Sequence, residues 1–199
     1  MILIDYFISD LHFGHHNILT FDQRQFQNTD EMEREIVRRW NERVTKQDTV
    51  YILGDFCWSA DEKEWVRLLD MLNGSKVLIR GNHDLKNPSN LLKRQFADIK
   101  DYKEITSGQK HIIMSHYPIL LYKSAYNPDC IMLCGHVHTT RENDFLVKWR
   151  EELRSSKKHQ GDNCGNVFNV GCMLPYMDYT PRTLDEILES SGVNTSTTP

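Results

Sequence analysis

Hydrophobic and polar positions follow a repeating order along this chain: a short apolar run, a polar motif, then a helix or loop. The apolar runs are Ile2–Ile8, Thr49–Leu53, Lys76–Ile79, His111–Met114, Ile131–Cys134 and Asn166–Val170, each of strand length and rich in aliphatic residues. Helical spacing lies between them. Met32, Ile36, Val37, Trp40 and Val44 form one stripe behind Asp30, with Glu33 completing an imperfect capping box. Trp65, Leu68, Leu69 and Leu72 form another, opened by Ser59 and Glu62 and closed at Gly74. A short helix is predicted from about Ser89 to Phe96, and a last turn or two from Thr183 to Glu189 with a Thr183–Glu186 capping box. Strands alternating with helices predict an α/β domain. The charged stretch from Lys148 to Gly165 lacks β-branched runs and reads as a surface helix-plus-loop excursion, a candidate lid. The pattern predicts one domain over residues 1–189 and a disordered polar tail over 190–199.

Composition narrows the partners. Hydrophobic residues make up 39% and charged residues 26%, ordinary for a soluble globular chain, and the net charge is −4. With no global basic field, nucleic acid is disfavoured as a partner and a compact substrate favoured. The opening apolar run is too short for a leader, is interrupted by Asp5, and runs straight into a polar motif, so it reads as a core strand. No apolar run approaches the roughly 20 residues that span a bilayer, so no membrane partner is expected and the cytoplasm is the expected compartment. Five cysteines, Cys57, Cys130, Cys134, Cys164 and Cys172, include no C-x-x-C pair and are expected to be reduced thiols. Cys130 and Cys134 flank Ile131-Met132-Leu133 and read as small core residues.

The candidate chemistry sits where the apolar runs end. Five motifs occupy those positions: Asp10-Leu11-His12, Gly54-Asp55, Gly81-Asn82-His83-Asp84, Ser115-His116 and Gly135-His136-Val137-His138. All would emerge at one edge of a sheet, where α/β folds place ligands. Carboxylates and imidazoles with an amide oxygen suit borderline divalent ions such as Mn²⁺, Fe²⁺ or Zn²⁺. The D-x-H and H-x-H spacings put both side chains on one face of an extended segment. Six or seven candidate ligands exceed one tetrahedral site and match two ions bridged by a carboxylate. A single strand-end histidine is ordinarily a hydrogen-bonded structural residue; five motifs of the same character after five strands point to metal.

Taken in order, D-x-H, G-D, G-N-H-D, H and G-H-x-H resemble the calcineurin-like metallophosphoesterase family, over roughly Ile2 to His138 and on to Asn169-Val170-Gly171. More narrowly, Ser9-Asp10-Leu11-His12-Phe13-Gly14-His15 with Arg24, Trp40-Asn41 and Gly54-Asp55-Phe56 resembles a group of small phosphoesterases of bacteria and their phages. The resemblance implies an α/β/β/α sandwich, two mixed sheets face to face with helices outside. It implies two divalent ions, Mn²⁺ first, with Fe, Zn or Ni as alternatives. Asp10, His12 and His138 would hold one ion, Asn82, His116 and His136 the other, and Asp55 would bridge them. A hydroxide between the ions would attack phosphorus while His83 protonates the leaving group, a general-acid contribution of about 10²–10⁴-fold. Asp84 would hydrogen-bond to His83 and fix its orientation.

Other residues carry open readings. His15, His16 and Asn17 either contact substrate or form a polar loop, and Arg24 either clamps a phosphate or makes a surface salt bridge. Arg80 leans to a structural role. His111 and His159 read as bystanders, and Arg150, Arg154, Lys157 and Lys158 as a solvated helix face. The expected activity is a phosphodiesterase acting on a nucleotide-like or other small phosphodiester. The alternatives are a phosphomonoesterase or protein phosphatase and, from another class, a non-catalytic metal-binding interaction scaffold. The presence of His83 and of every ligand position argues against the scaffold.

Overall fold

The computed structural model of the chain describes residues 3–155 and 165–191. All six apolar runs become strands, and they divide between two four-stranded sheets. The first sheet is β1 (Asp5–Ile8), β2 (Thr49–Ile52), β3 (Ser75–Ile79) and β4 (Asp98–Lys100), in spatial order 1-2-3-4 and parallel throughout. The second is β5 (Tyr102–Ser107), β6 (Lys110–Ser115), β7 (Cys130–Cys134) and β8 (Val167–Asn169), in order 5-6-7-8. Only the β5–β6 hairpin is antiparallel there, so β6, β7 and β8 end on the same side. Just past β1, Ser9 N donates to Val170 O at 2.9 Å and Cys172 N donates to Ser9 O at 2.9 Å. That junction joins the two sheets at their carboxyl-terminal ends, directly behind Asp10.

Alternation along the strands builds the layers. Ile112, Met114, Ile131, Leu133 and Phe168 point inward and share one apolar cluster with Phe7, Val77 and Ile79, which lie on one face of the first sheet. The residues between them, Ile113, Cys130, Met132, Cys134 and Val167, point outward and pack with Leu146 and Trp149 of α5 (Arg141–Ser155). On the other side α2 (Thr29–Arg43) buries Met32, Ile36 and Trp40, and α3 (Glu62–Met71) buries Trp65, Leu68 and Leu69. The result is two sheets flanked by helices, the α/β/β/α sandwich. Cys57, Cys130, Cys134 and Cys172 are buried free thiols. Among the described residues no helix is long and apolar enough to cross a membrane.

Helix starts differ from the sequence expectation in two places. Asn28, not Asp30, caps α2, its side chain accepting from Glu31 N at 2.9 Å, while Gln27 N donates to the Glu31 carboxylate. Asp61, not Ser59, caps α3. Ser59 Oγ accepts from Asp61 N, and Glu62 instead reaches across to Ser89, the cap of α4 (Asn90–Lys93). Local oxygens near a helix start compete for the same free N–H groups, and the winner depends on the entry path of the chain. The Thr183–Glu186 capping box forms as expected, opening α6 (Leu184–Ser190). Trp40 and Asn41 grip the end of α3: Trp40 Nε1 donates to Asn73 O, and the Asn41 amide bonds to Met71 O and Asn73 N. The Lys148–Gly165 excursion begins as the second half of α5. His159, Lys157, Lys158, Cys164 and the tail from 192 onward lie outside the described residues.

Candidate metal centre

Each motif sits just past a strand end, and the backbone there turns sharply. Asp10, His12, Asp55, His136 and His138 all have positive φ, between 45° and 71°. That region costs an L-residue roughly 1–2 kcal/mol, and Asp and His are among the residues that tolerate it best. Five such residues in one place mark a site where the surrounding structure enforces the bend. Gly54 (φ +89°) and Gly81 allow two of these loops to touch, since a Cβ on Gly54 would strike the Gly81 backbone and the His116 ring.

The side chains converge as two neighbouring groups. Asp10, His12, Asp55 and His138 each offer one donor atom, all within 4.8 Å of one another, and all four residues are buried. His12 Nε2 lies 3.3 Å from His138 Nε2 and 3.5 Å from Asp55 Oδ2; His138 Nε2 lies 3.6 Å from Asp10 Oδ1. On the far side of Asp55, its Oδ2 is also 3.6 Å from His116 Nε2, which is 3.0 Å from Asn82 Oδ1. The His136 ring centroid is 5.1 Å from that of His116, and the His136 backbone N–H is held by the Asp10 carboxylate at 3.1 Å.

Hydrogen bonding at the rear fixes which atoms face inward. His138 Nδ1 is 2.8 Å from Asp22 Oδ1 and His116 Nδ1 is 2.8 Å from Leu53 O. Both partners only accept, so each Nδ1 carries a hydrogen, and a ring that is neutral then presents a lone pair at Nε2. Burial opposes a charge on His138, but the hydrogen bond to Asp22 and the charge of Asp10 outweigh it and raise its pKa. In its neutral form His116 Nε2 faces Asn82 Oδ1 with no hydrogen between them. Unscreened lone pairs and two carboxylates at these separations repel, and a divalent cation is the partner that reconciles them. The donor set fits a borderline first-row ion. Burial, with His138 beside it, drives His12 far below its ordinary pKa; burial likewise depresses His136 and raises Asp55.

Asp22 is a functional residue with no signal in the sequence, since its partner is His138, 116 positions away. It belongs to a buried chain: Arg24 Nε and Nη2 donate to Asp22 Oδ2 at 2.9 and 2.8 Å, and Asp22 accepts from His138. Burial opposes the Asp22 charge, but the hydrogen bond from His138 and the charge of Arg24 outweigh it and lower its pKa. A carboxylate behind a ligating imidazole is the usual device for orienting the ring.

Two expectations are corrected here. Arg24 does not reach substrate. Its side chain is fully buried, and its remaining donors go to Leu11 O at 3.0 Å and Asp10 O at 2.8 Å, bracing the first motif from behind. Asp84 does not hold the His83 ring. It is buried, and its carboxylate accepts from Asp55 N, Phe56 N and Gly81 N at 2.8–3.0 Å, tying the Gly54-Asp55 loop to the Gly81–Asp84 loop. Burial pushes that carboxyl up to about 6, against the pull of the same N–H groups.

The remaining residues lie around a cleft of about 320 Å³ lined by His12, Asp55, Asn82, His83, His136 and His138. His83 is exposed, its backbone N–H held by Asp55 Oδ1 at 2.9 Å and its ring 5.7 Å from that of His12. His15 and Asn17 line the cleft; His16 is exposed and outside it. Trp58 and Phe21 also line it and were not singled out from sequence, although Trp58 follows the Gly54-Asp55 motif by three residues. Arg80 is structural, paired with Asp101 at 2.8 Å and bonded to Lys86 O. His111 pairs with Glu104 at 2.9 Å, away from the cleft.

Comparison with known proteins agrees with this geometry. The family model described as calcineurin-like phosphoesterase matches residues 6–107. An uncharacterized protein of Methanocaldococcus jannaschii is 46% identical over 141 residues, covering 70% of this chain and 72% of its own. The Gene 66 protein of Mycobacterium phage D29 is 28% identical over 158 residues, covering 67% and 78%. The crystal structure of a protein of unknown function from Aquifex aeolicus superposes with a TM-score of 0.67 at 28% identity, covering 95% of this chain and all of that one. The chain therefore belongs to the calcineurin-like phosphoesterase family, and with a buried His/Asp metal-binding cluster set in that fold it is a metal-dependent hydrolase of phosphate esters.

Proposed function

We propose that this protein is a dinuclear phosphodiesterase acting on small, nucleotide-like phosphodiesters. The observation that carries the reading is the position of Asp55 Oδ2, 3.5 Å from His12 Nε2 and 3.6 Å from His116 Nε2, shared between the two ligand groups. Asp10, His12 and His138 would hold one ion and Asn82, His116 and His136 the other, with Asp55 between, and Mn²⁺ suits this mixed N/O set. Bound there, the ions supply Lewis acidity for water activation and neutralise phosphoryl oxygens. The chain supplies the rest. Asp84 keeps the loops of Asp55 and His83 in register through its three N–H bonds. Asp22 and Leu53 O, each accepting from an Nδ1, turn Nε2 of His138 and of His116 inward. His83, exposed at the cleft mouth, donates a ring proton to the leaving oxygen.

Charge in the cleft favours a diester. Among the described residues lining it there is no lysine or arginine, and Arg24 is turned away. A monoester dianion would find no lysine or arginine among the described lining residues to offset its second charge. A diester carries one charge and brings a second organic group, for which the aromatic lining offers contact. The test is hydrolysis of bis(p-nitrophenyl) phosphate and p-nitrophenyl phosphate by chelator-stripped protein, with and without Mn²⁺. Turnover that needs metal and has the higher kcat/KM on the diester is the expected result. A higher kcat/KM on the monoester would overturn the diesterase assignment.

A further inference from the structure

Phosphate hydrolysis does not require one feature of this cleft, an aromatic wall beside the reactive centre. The indole of Trp58 stacks on His15 with ring centroids 3.7 Å apart and planes within 3°, and it stands 4.6 Å from the His83 ring. Phe21, the last residue of α1 (Ile18–Phe21), sets its ring perpendicular to His138 at 5.5 Å. Trp58 is 45% exposed and Phe21 62%, whereas Trp40 and Trp65 are fully buried. Scattered exposed aromatics need no explanation; two that share one cleft with the ligand cluster form a stacking surface.

The wall is held in place before any ligand arrives. Trp58 N donates to Phe13 O at 2.9 Å, Phe13 N donates to Phe56 O at 3.0 Å, and His15 N donates to His12 O at 3.0 Å. The loops carrying His12, His15 and Trp58 are thus zipped together, so little conformational entropy is lost when a ring docks. With no lysine or arginine among the described residues lining the cleft, the aromatic side chains offer the organic part of a substrate its largest contact.

We infer that the Trp58–His15 stack, with Phe21, seats a nucleobase-sized planar ring of the substrate, on the leaving-group side marked by His83. The substrate class is then a nucleoside-containing phosphodiester, an inference that rests on the phosphodiesterase reading. Calorimetric titration of the Mn²⁺-loaded protein with AMP, ribose 5-phosphate and inorganic phosphate tests it. Stacking on an aromatic side chain should make AMP bind about tenfold more tightly than ribose 5-phosphate. Trp58→Leu should abolish that difference and Phe21→Ala reduce it, with affinity for inorganic phosphate checking that the metal centre is intact. Equal affinity of the unaltered protein for AMP and ribose 5-phosphate would overturn the inference, as would an AMP preference that survives Trp58→Leu. Absence of metal-dependent diester turnover with the AMP preference intact would strike the phosphodiesterase reading and leave the aromatic seat standing.

Discussion

At the scale of single residues, the proposed function assigns metal bridging to Asp55 and proton donation to His83, and two substitutions test them apart. Asp55→Asn removes the shared carboxylate charge, so metal content and turnover should fall together; normal metal content with full turnover would exclude the bridging role. His83→Ala should keep the metal content, measured by elemental analysis, and lose about 10²–10⁴-fold in turnover on diesters with poor leaving groups. Diesters of p-nitrophenol, which leaves without protonation, should lose far less, and equal losses would argue against proton donation. Asp22→Asn tests the hydrogen bond behind His138. An outer carboxylate of this kind is worth about 10–100-fold in metal affinity, and an unchanged Mn²⁺ dissociation constant would show that Arg24 and Asp22 only fill space. The ligand types could be read from the chain because each follows an apolar run, and the geometry brings them together. Asp22, Trp58 and Phe21 could not, because their significance depends on partners such as His138 and His83 that only folding brings near. Arg24 could be noticed, but not the direction it points.

At the scale of elements, the strands whose residues are mostly buried were legible and the exposed ones were not. β2, β3, β6 and β7 carry continuous aliphatic runs because both faces are covered. β4 and β5 read Asp-Ile-Lys and Tyr-Lys-Glu-Ile-Thr-Ser, are half-exposed, and lie at sheet edges, where charge is the usual protection. The two-sheet arrangement came from the family resemblance, because periodicity alone does not say which strands share a sheet. Helix starts offer a direct check. Asn28→Ala should lower the unfolding free energy by about 1 kcal/mol in a denaturant titration. Asp30→Ala, inside the first turn of α2, should cost only a few tenths through the helix dipole. The reverse order would restore Asp30 as the cap.

At the scale of the whole molecule, the apolar core and the polar centre are stabilised separately. The core runs between the sheets and under the helices, whereas the ligand cluster gathers groups that repel when no cation is bound. Mn²⁺ should therefore raise the thermal midpoint, by an amount corresponding to about 2.7 kcal/mol at a concentration 100 times the dissociation constant of a single site. A midpoint insensitive to metal and chelator would mean that the cluster binds none. The most direct test of a two-ion centre is a titration of chelator-stripped protein with Mn²⁺, following turnover of bis(p-nitrophenyl) phosphate against metal equivalents per chain. Activity that climbs to a plateau at two equivalents is the predicted result; a plateau at one equivalent, or turnover that needs no metal, would contradict it.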